Sequence, residues 1–536
     1  METRKRNDKG KAKGKGKRKQ KKITAPEPCS SEDVLFKDIV AVLGQAEVDK
    51  VLEEGTELDS PFEFHQEVEL EVRAIGSNGE GIAVAPDGTK PWAVVVPLTL
   101  PGEKIRARIY KSARLHSFAD LLEITTPNPA LRDDSRVKCK YFGACGGCQY
   151  QMLSYETQIN LKRDVVVKAY KNYSNLLQSS LPPILSTIAS PLEYGYRTKL
   201  TPHFEAPPAA ARKNPSATSD GKKPDWLAIG FNKIGTHKTM DIEECPIATP
   251  VINAALGPAR ERIIKNIHTY ERGVSLIFRD SLDTTPDIDP RTAQQPIDKL
   301  SEAFTKQICV TDHKATVRET VGEWIFEYNG GSFFQNNNSV LVPLTDYVRD
   351  AIFPLPSATD PSSPSPVTVA VSVVPDTPRP THLVDTYCGS GLFAITLSPN
   401  FEKVAGIELS TESITFATRN ARLNGISPDK ISFRSGDASD IFSVVGDFPP
   451  SHSVVVIDPP RKGCDDAFIS LLLKFRPATV VYVSCNVHTQ ARDVGKILNA
   501  TADAGEGERY VLQSLRGFDL FPQTAHVESV AVLRLV

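Results

Sequence analysis

A chain of 536 residues, 40 % of them apolar, is long enough for about three or four domains with several cores. Its nine cysteines are too sparse for a disulfide scaffold, and no run approaches the ~20 uninterrupted apolar residues of a membrane span. No apolar block marks a secretory signal, so the protein is expected inside the cell, and its net charge of −2 hides a strongly basic N-terminus.

That N-terminus, METRKRNDKGKAKGKGKRKQKK, sets only Glu2 and Asp8 against its Lys and Arg residues. Such a block is predicted to be disordered and suits attraction to phosphate or display as a nuclear import signal. A mitochondrial presequence is disfavoured because the block has no apolar face. Residues 32–55 are amphipathic at helical spacing and carry no visible chemistry, so they are assigned no function. Residues 64–126 alternate apolar with polar between glycine turns, the pattern of a small β-barrel of about 60 residues. Pro- and Ser-rich stretches near 206–225, 283–296 and 354–380 read as surface insertions or linkers.

CKYFGACGGCQYQ places Cys139, Cys145 and Cys148 in a C-x5-C-x2-C arrangement, and Cys245 in DIEECPIATP can complete four ligands. Four thiolates serve zinc or an iron–sulfur cluster, and the spacing leaves both open. Cys309, Cys388 and Cys464 read instead as buried, inert residues.

From residue 382 onward the rhythm is β-α-β, which predicts a largely parallel, doubly wound sheet with ligands at the carboxyl ends of its strands. The first strand ends in DTYCGSGLFAI, where Asp385 and Tyr387 precede Gly389 and Gly391 at a helix start. Glu408 ends the second strand, positioned to accept hydrogen bonds from ribose hydroxyls; Asp437 ends the third, near an adenine edge; Asp458 ends the fourth in IDPPRKG. A nicotinamide site wants a third glycine that CGSGLF lacks, so S-adenosylmethionine fits better.

VYVSCNVHTQARD puts Cys485 at the same sheet edge. A helix starting at His488 or Thr489 would turn its positive end toward the thiolate and lower the thiol pKa. A methyl donor beside a thiolate suits carbon-5 of uracil, because thiolate addition at carbon-6 makes carbon-5 nucleophilic. A base must then take the carbon-5 proton; DLFPQTAHVESV offers His526 and Glu528, and the carboxylate is the preferred choice.

Together these residues resemble the RNA uracil-5-methyltransferase family over 64–536, apart from the Pro-rich stretches. GEGIAV and LPGEKIRARI resemble its RNA-binding TRAM barrel, the cysteine motif with Cys245 its [4Fe-4S] ligands, and YGYRTK at 194–199 a central-domain motif. GSFFQNN is similar to the segment whose glutamine contacts S-adenosylmethionine, here Gln335. The resemblance implies a Rossmann-like class I S-adenosylmethionine-dependent methyltransferase of α/β class, with an N-terminal OB-like barrel and a central α+β iron–sulfur domain. It implies a tail and helical lead-in at 1–60, a barrel at 64–126, a central domain at 127–330 and a catalytic domain at 331–536 with an insertion near 354–381.

The implied site has Gln335, Tyr387, Glu408, Asp437 and Asp458 around cofactor and substrate, Cys485 as nucleophile and Glu528 as proton acceptor. The implied partner is tRNA at T-loop position 54, with ribosomal RNA left open, and the implied form is a monomer without membrane or obligate protein partner, in nucleus or cytoplasm. Many relatives have Pro in place of Val487 and many bacterial ones Asn in place of Leu392, which would loosen the Cys485 loop and remove a cofactor contact. Two other readings stand beside this one. A non-catalytic RNA-binding or tRNA-folding protein need not keep both Cys485 and Glu528, and a 5-methylcytosine enzyme would place its cysteine where Arg461 stands.

Overall fold

The computed structural model describes residues 26–86, 89–208, 222–283, 306–354, 378–502 and 508–536. The basic tail and most of the three Pro-rich stretches lie outside the described residues. No helix among the described residues is long and apolar enough to cross a membrane.

The amphipathic lead-in forms two helices, α1 (Ser31–Leu43) and α2 (Gln45–Glu53). Ser30 caps α1 by accepting a hydrogen bond from the Asp33 amide at 3.2 Å, and Glu32 and Asp33 favour its positive end. Leu35, Ile39, Val48 and Val51 bury their stripe against Ile82, Ala93 and Val95 of the barrel that follows. That barrel closes from β1 (Glu67–Ile75), β2 (Gly81–Val84), β3 (Ala93–Val96), β4 (Lys104–Ala113) and β5 (His116–Thr126) in the order β1-β2-β3-β5-β4. The alternation read in EVELEVRAI holds: Val68, Leu70 and Val72 point inward to meet Val94, Val96, Ile105 and Ile109.

Between the barrel and the C-terminal sheet lie α3 (Tyr155–Tyr173) and several short strands. Three of these, Lys199–Leu200, Phe278–Leu282 and Gln307–Val310, form one antiparallel sheet with Phe278–Leu282 at its centre.

The C-terminal sheet has seven strands: β6 (His382–Thr386), β7 (Lys403–Glu408), β8 (Ile431–Ser435), β9 (Ser453–Ile457), β10 (Thr479–Ser484), β11 (Tyr510–Phe518) and β12 (Glu528–Leu535), ordered β8-β7-β6-β9-β10-β12-β11. Both of its faces are covered. Val384, Val455 and Tyr482 face one cluster while Leu383, Val454 and Val481 face the other, which is why these strands are continuous apolar runs rather than alternating ones. Five strands are parallel as expected, but β12 runs antiparallel to both β10 and β11. Strand β11 carried no strong sequence signal because it is a partly exposed edge with a bulge between Leu512 and Ser514. Only residues 519–527 join β11 to β12, too few for the helical crossover that a parallel pair needs.

This nine-residue return is anchored to α3 in the interior. Lys162 donates to the Asp519 carboxylate with both side chains wholly buried, and also to the Phe521 carbonyl at 2.9 Å. Tyr155 donates its hydroxyl to Asp519 at 3.0 Å, and Gln158 pairs with Gln523 through its side chain in both directions, at 3.0 and 2.9 Å. A charge removed from one side of such a pair leaves the other unsatisfied in a dry interior. Lys162→Met is therefore expected to lower unfolding free energy by roughly 3–5 kcal/mol, read as a shifted urea midpoint, whereas a double Lys162→Met, Asp519→Leu variant recovers much of the loss.

Candidate active site

The first strand-to-helix turn carries three consecutive odd positions in the left-handed region: Tyr387 at φ 61°, Gly389 at 53° and Gly391 at 94°. A Cβ on Gly391 would meet Ile395 at 3.0 Å, whereas one on Gly389 would meet nothing within 4 Å. The turn thus packs tightly below and is open above, as a backbone cradle for a ligand must be. Asp385 is buried beneath it and accepts from the Ala394 amide at 2.8 Å, while its Oδ1 and the Ser390 hydroxyl have no hydrogen-bond partner in the protein. Glu408 reaches back from β7 to accept from the amides of Gly389 at 3.3 Å and Ser410 at 3.0 Å. These orphaned polar groups, the open face of the turn and a carboxylate with spare lone pairs fit a nucleoside with ribose hydroxyls and a polar tail.

The other expected cofactor residues are placed less uniformly. Tyr387 packs on Phe468 with ring centroids 5.7 Å apart. Gln335 is buried on the loop after residues 324–329, where its carbonyl accepts from the Thr198 hydroxyl at 3.5 Å. Asp437 is exposed and caps its own short helical turn by accepting from the Ser439 amide at 3.0 Å. A local structural duty thus already engages one oxygen of Asp437.

Cys485 follows β10 directly, and the antiparallel register explains what it faces. Ser484 pairs with Ser529 across β10 and β12, so Cys485 and Glu528 are the next opposed positions. Cys485 also lines a cavity of about 150 Å³ together with Arg461, Asn486, His488, His526 and, from outside the catalytic sheet, Cys29 and Ser77. The helix after Cys485, α4 (Val487–Ala502), begins one residue earlier than expected. Its dipole does not win: burial first, then the Glu528 and Asp458 carboxylates, push the Cys485 thiol up to about 12 against the lowering expected from sequence. Arg461 is the group that opposes them. Burial likewise holds Glu528 at about 8, with Asp458 adding to the rise, and Asp458 at about 7. His526 is held down to about 4 by burial and nearby cations, so it is neutral.

Residues that sequence reasoning left unassigned hold this centre together. The Asn486 side chain accepts from the His488 amide at 3.1 Å and donates to the Arg461 carbonyl at 3.0 Å, joining the DPPRKG loop to the start of α4. Val487 is buried at the first position of that helix, a position proline also suits, and Asn486 supplies the tether that the expected loosening overlooked. Further along α4, buried Asp493 accepts from the Cys464 amide and the Tyr482 hydroxyl, each at 2.8 Å. Gly463, at φ 77°, passes so close that a Cβ there would sit 2.4 Å from the Asp493 carboxylate. The Arg-Asp pair of VYVSCNVHTQARD was visible in sequence, but its partner loop lies about thirty residues upstream and outside any periodic window.

The lead-in helices, assigned no function from sequence, border the same cavity. Cys29 donates its thiol toward the His488 carbonyl at 3.6 Å, Tyr173 of α3 donates to Asp33 at 2.9 Å, and Asp38 pairs with Lys168 at 3.3 Å.

A second cavity, of about 230 Å³, is lined by Cys139, Cys145, Cys148 and Cys245 together with Tyr141, Phe142 and Arg197. Burial raises the thiols of Cys145, Cys148 and Cys245, the last two to about 12 and about 11, and nearby thiolates add to each rise. Among the described residues no three His, Cys, Asp or Glu side chains close on a single metal ion.

The ionisation of Glu528 has a sign that can be checked. The folded protein keeps its proton up to about 8, an unfolded chain releases it near 4.5, and stability therefore falls as pH rises between these values. Glu528→Gln lacks this loss. Urea unfolding of the variant is expected to gain about 4 kcal/mol on the parent between pH 4.5 and 8; a constant difference would mean an ionised Glu528 in the folded state.

Comparison with known proteins agrees in its assignment. Residues 367–535 match the family model described as tRNA (Uracil-5-)-methyltransferase. The chain is 41 % identical over 490 residues to the tRNA (uracil(54)-C(5))-methyltransferase of Schizosaccharomyces pombe, covering 91 % of this chain and 82 % of that one. The protein of the same name from Saccharomyces cerevisiae is 34 % identical over 518 residues, covering 91 % and 77 %. In fold, the chain is similar to the crystal structure of Pyrococcus abyssi tRNA (uracil-54, C5)-methyltransferase in complex with S-adenosyl-L-homocysteine, with a TM-score of 0.54, 20 % identity, and coverage of 87 % of this chain and 100 % of that one.

Proposed function

The chain belongs to the tRNA (uracil-5-)-methyltransferase family, and we propose that it transfers a methyl group from S-adenosylmethionine to carbon-5 of uridine 54 in tRNA. The observation that carries the mechanism is the side-by-side placement of Cys485 and Glu528 across β10 and β12, close enough to the Asp458 carboxylate for the three groups to act on one another's charge. S-adenosylmethionine, held by the Gly389 turn, Glu408 and Gln335, supplies an electrophilic methyl on a positively charged sulfur.

The chain's own residues do the rest. RNA is gripped by the TRAM-like barrel and the target base turned out of its stack, since carbon-5 and carbon-6 are unreachable within it. Asp458 orients the uracil edge. Cys485 Sγ gives its proton to water in the cavity and adds to carbon-6, and the electron pair released toward carbon-5 would form the bond to the methyl as the methyl–sulfonium bond breaks and a neutral thioether leaves. Glu528 then removes the carbon-5 hydrogen as a proton, the carbon–sulfur bond breaks, and Cys485 leaves as the thiolate. In the protein alone, burial pushes the thiol and both carboxyls toward their protonated forms, and neighbouring carboxylates add to the rise at Cys485 and Glu528. A cationic donor entering beside them favours every one of their ionised forms, so cofactor binding and thiolate formation are coupled.

For the four-cysteine cavity the proposed occupant is a [4Fe-4S] cluster. Supporting this, the four thiols line one cavity, and four cysteines with a C-x5-C-x2-C trio and a remote fourth resemble the ligand set of such a cluster. Bound there, a cluster would tie the 139–148 loop to the Cys245 turn; methyl transfer requires no electron from it.

Two experiments test these readings. With tRNA carrying 5-fluorouridine at position 54, whose fluorine cannot leave as a proton, the parent is expected to form a stable protein–RNA adduct that Cys485→Ala abolishes; an adduct surviving that change would move the nucleophile elsewhere. Anaerobically purified protein is expected to contain about four iron atoms per chain, reduced severalfold in Cys148→Ser, whereas about one zinc per chain would replace the cluster by a structural zinc site.

A further inference from the structure

Three cationic side chains meet on one face of the small central sheet without a carboxylate to pair with. Lys199 and Arg279 are directly opposed across the antiparallel strands Lys199–Leu200 and Phe278–Leu282. Like charges opposed in this way repel. Arg197 lies two residues before Lys199, bridged to Ala248 and Asn337, and donates its Nε to the Lys199 carbonyl at 3.0 Å. Among the described residues none of the three has a carboxylate within 4.0 Å. Arg279 is wholly buried; it donates to Ser332 O at 2.8 Å and Asn336 Oδ1 at 3.4 Å, stacks 4.8 Å from the Tyr328 ring centre, and leaves its Nε unsatisfied. Glu319 is the acidic group that acts on it from farther away. Lys199 makes a single long hydrogen bond, 3.5 Å to Gly331 O, and burial beside Arg279 and Arg197 brings its ammonium down to about 8.

This group adjoins the reaction centre. Thr198, between the two half-buried cations, donates its amide to Asn336 O at 2.9 Å and so fastens the strand to the Gln335 loop. The Arg197 guanidinium sits 5.7 Å from the Phe521 ring, and that ring is 5.0 Å from His526, which lines the Cys485 cavity. Unpaired cations gathered at an active-site rim, at a cost in repulsion, are what an anionic ligand would relieve.

We propose that Arg197 and Lys199, backed by the buried charge of Arg279, bind a phosphate of the RNA strand adjoining the nucleotide to be methylated. This rests on the RNA-methylating reading above and adds to it a specific grip that holds the strand while its base is in the pocket. Arg197 also borders the four-cysteine cavity, whereas Lys199 does not, so Lys199 is the cleaner probe.

The test uses the full chain with unmodified tRNA transcript. Lys199→Gln is expected to raise the KM for tRNA about fivefold or more, to leave S-adenosylmethionine affinity unchanged, and to lessen the slope of log affinity against log salt by about 0.7 to 1, while Lys199→Arg keeps parental values. Because the change relieves repulsion with Arg279, its melting temperature is expected to equal or exceed the parent's, which separates lost binding from lost folding. Parental tRNA affinity and salt slope in a Lys199→Gln protein that still methylates tRNA would overturn the phosphate site alone. A parent that transfers no methyl to tRNA would overturn the functional reading instead.

Discussion

A lysine and an aspartate in a dry interior must find each other, and the architecture of this protein turns on one such pair. Lys162 on α3 and Asp519 at the end of β11 are both inaccessible to water, and Tyr155 and the Phe521 carbonyl complete their hydrogen bonding. The pair fixes the return from β11 to β12 against the central region. Glu528 opens β12, and its position opposite Cys485 depends on where that return ends. Geometry at the reacting atoms is therefore inherited from an ion pair that touches neither of them.

The electrostatics of the site follow from the same burial. Two buried carboxyls and a thiol lie together, with Arg461 the cation that opposes protonation of Cys485 and Glu528, yet all three hold protons more tightly than in water. Such a site is chemically quiet until positive charge arrives. In the proposed reaction the methyl donor would bring that charge, which would tie activation of Cys485 to the presence of the methyl. In the small central sheet the balance reverses, with half-buried Arg197 and Lys199 gathered beside buried Arg279 and no carboxylate within 4.0 Å among the described residues.

Much of this was legible in particular stretches of sequence. EVELEVRAI alternates because one face of a barrel strand is interior, and SVVVI and TVVYVS do not because both faces of a central strand are covered. Glu408 and Cys485 could be placed at a shared edge because every parallel strand ends on the same side. The lowered thiol pKa was misjudged because a helix dipole can be read from a helix start, whereas burial and the approach of Glu528 cannot. Residues 32–55 were read as helical but without a role, since nothing local shows that Cys29 and Val34 lie against the cavity of a residue more than four hundred positions away.

The sequence by itself determined the period of the barrel strands and of the parallel strands, the order of barrel and sheet, and which side chains stand at strand ends, because these follow from backbone geometry over a few residues. Only the tertiary structure decided that β12 returns antiparallel beside β10, that the Arg-Asp pair of α4 clasps the DPPRKG loop, and that Arg197, Lys199 and Arg279 share one face. Those outcomes depend on contacts between distant segments and on how far water is excluded from each charge, and neither quantity exists until the chain has closed on itself.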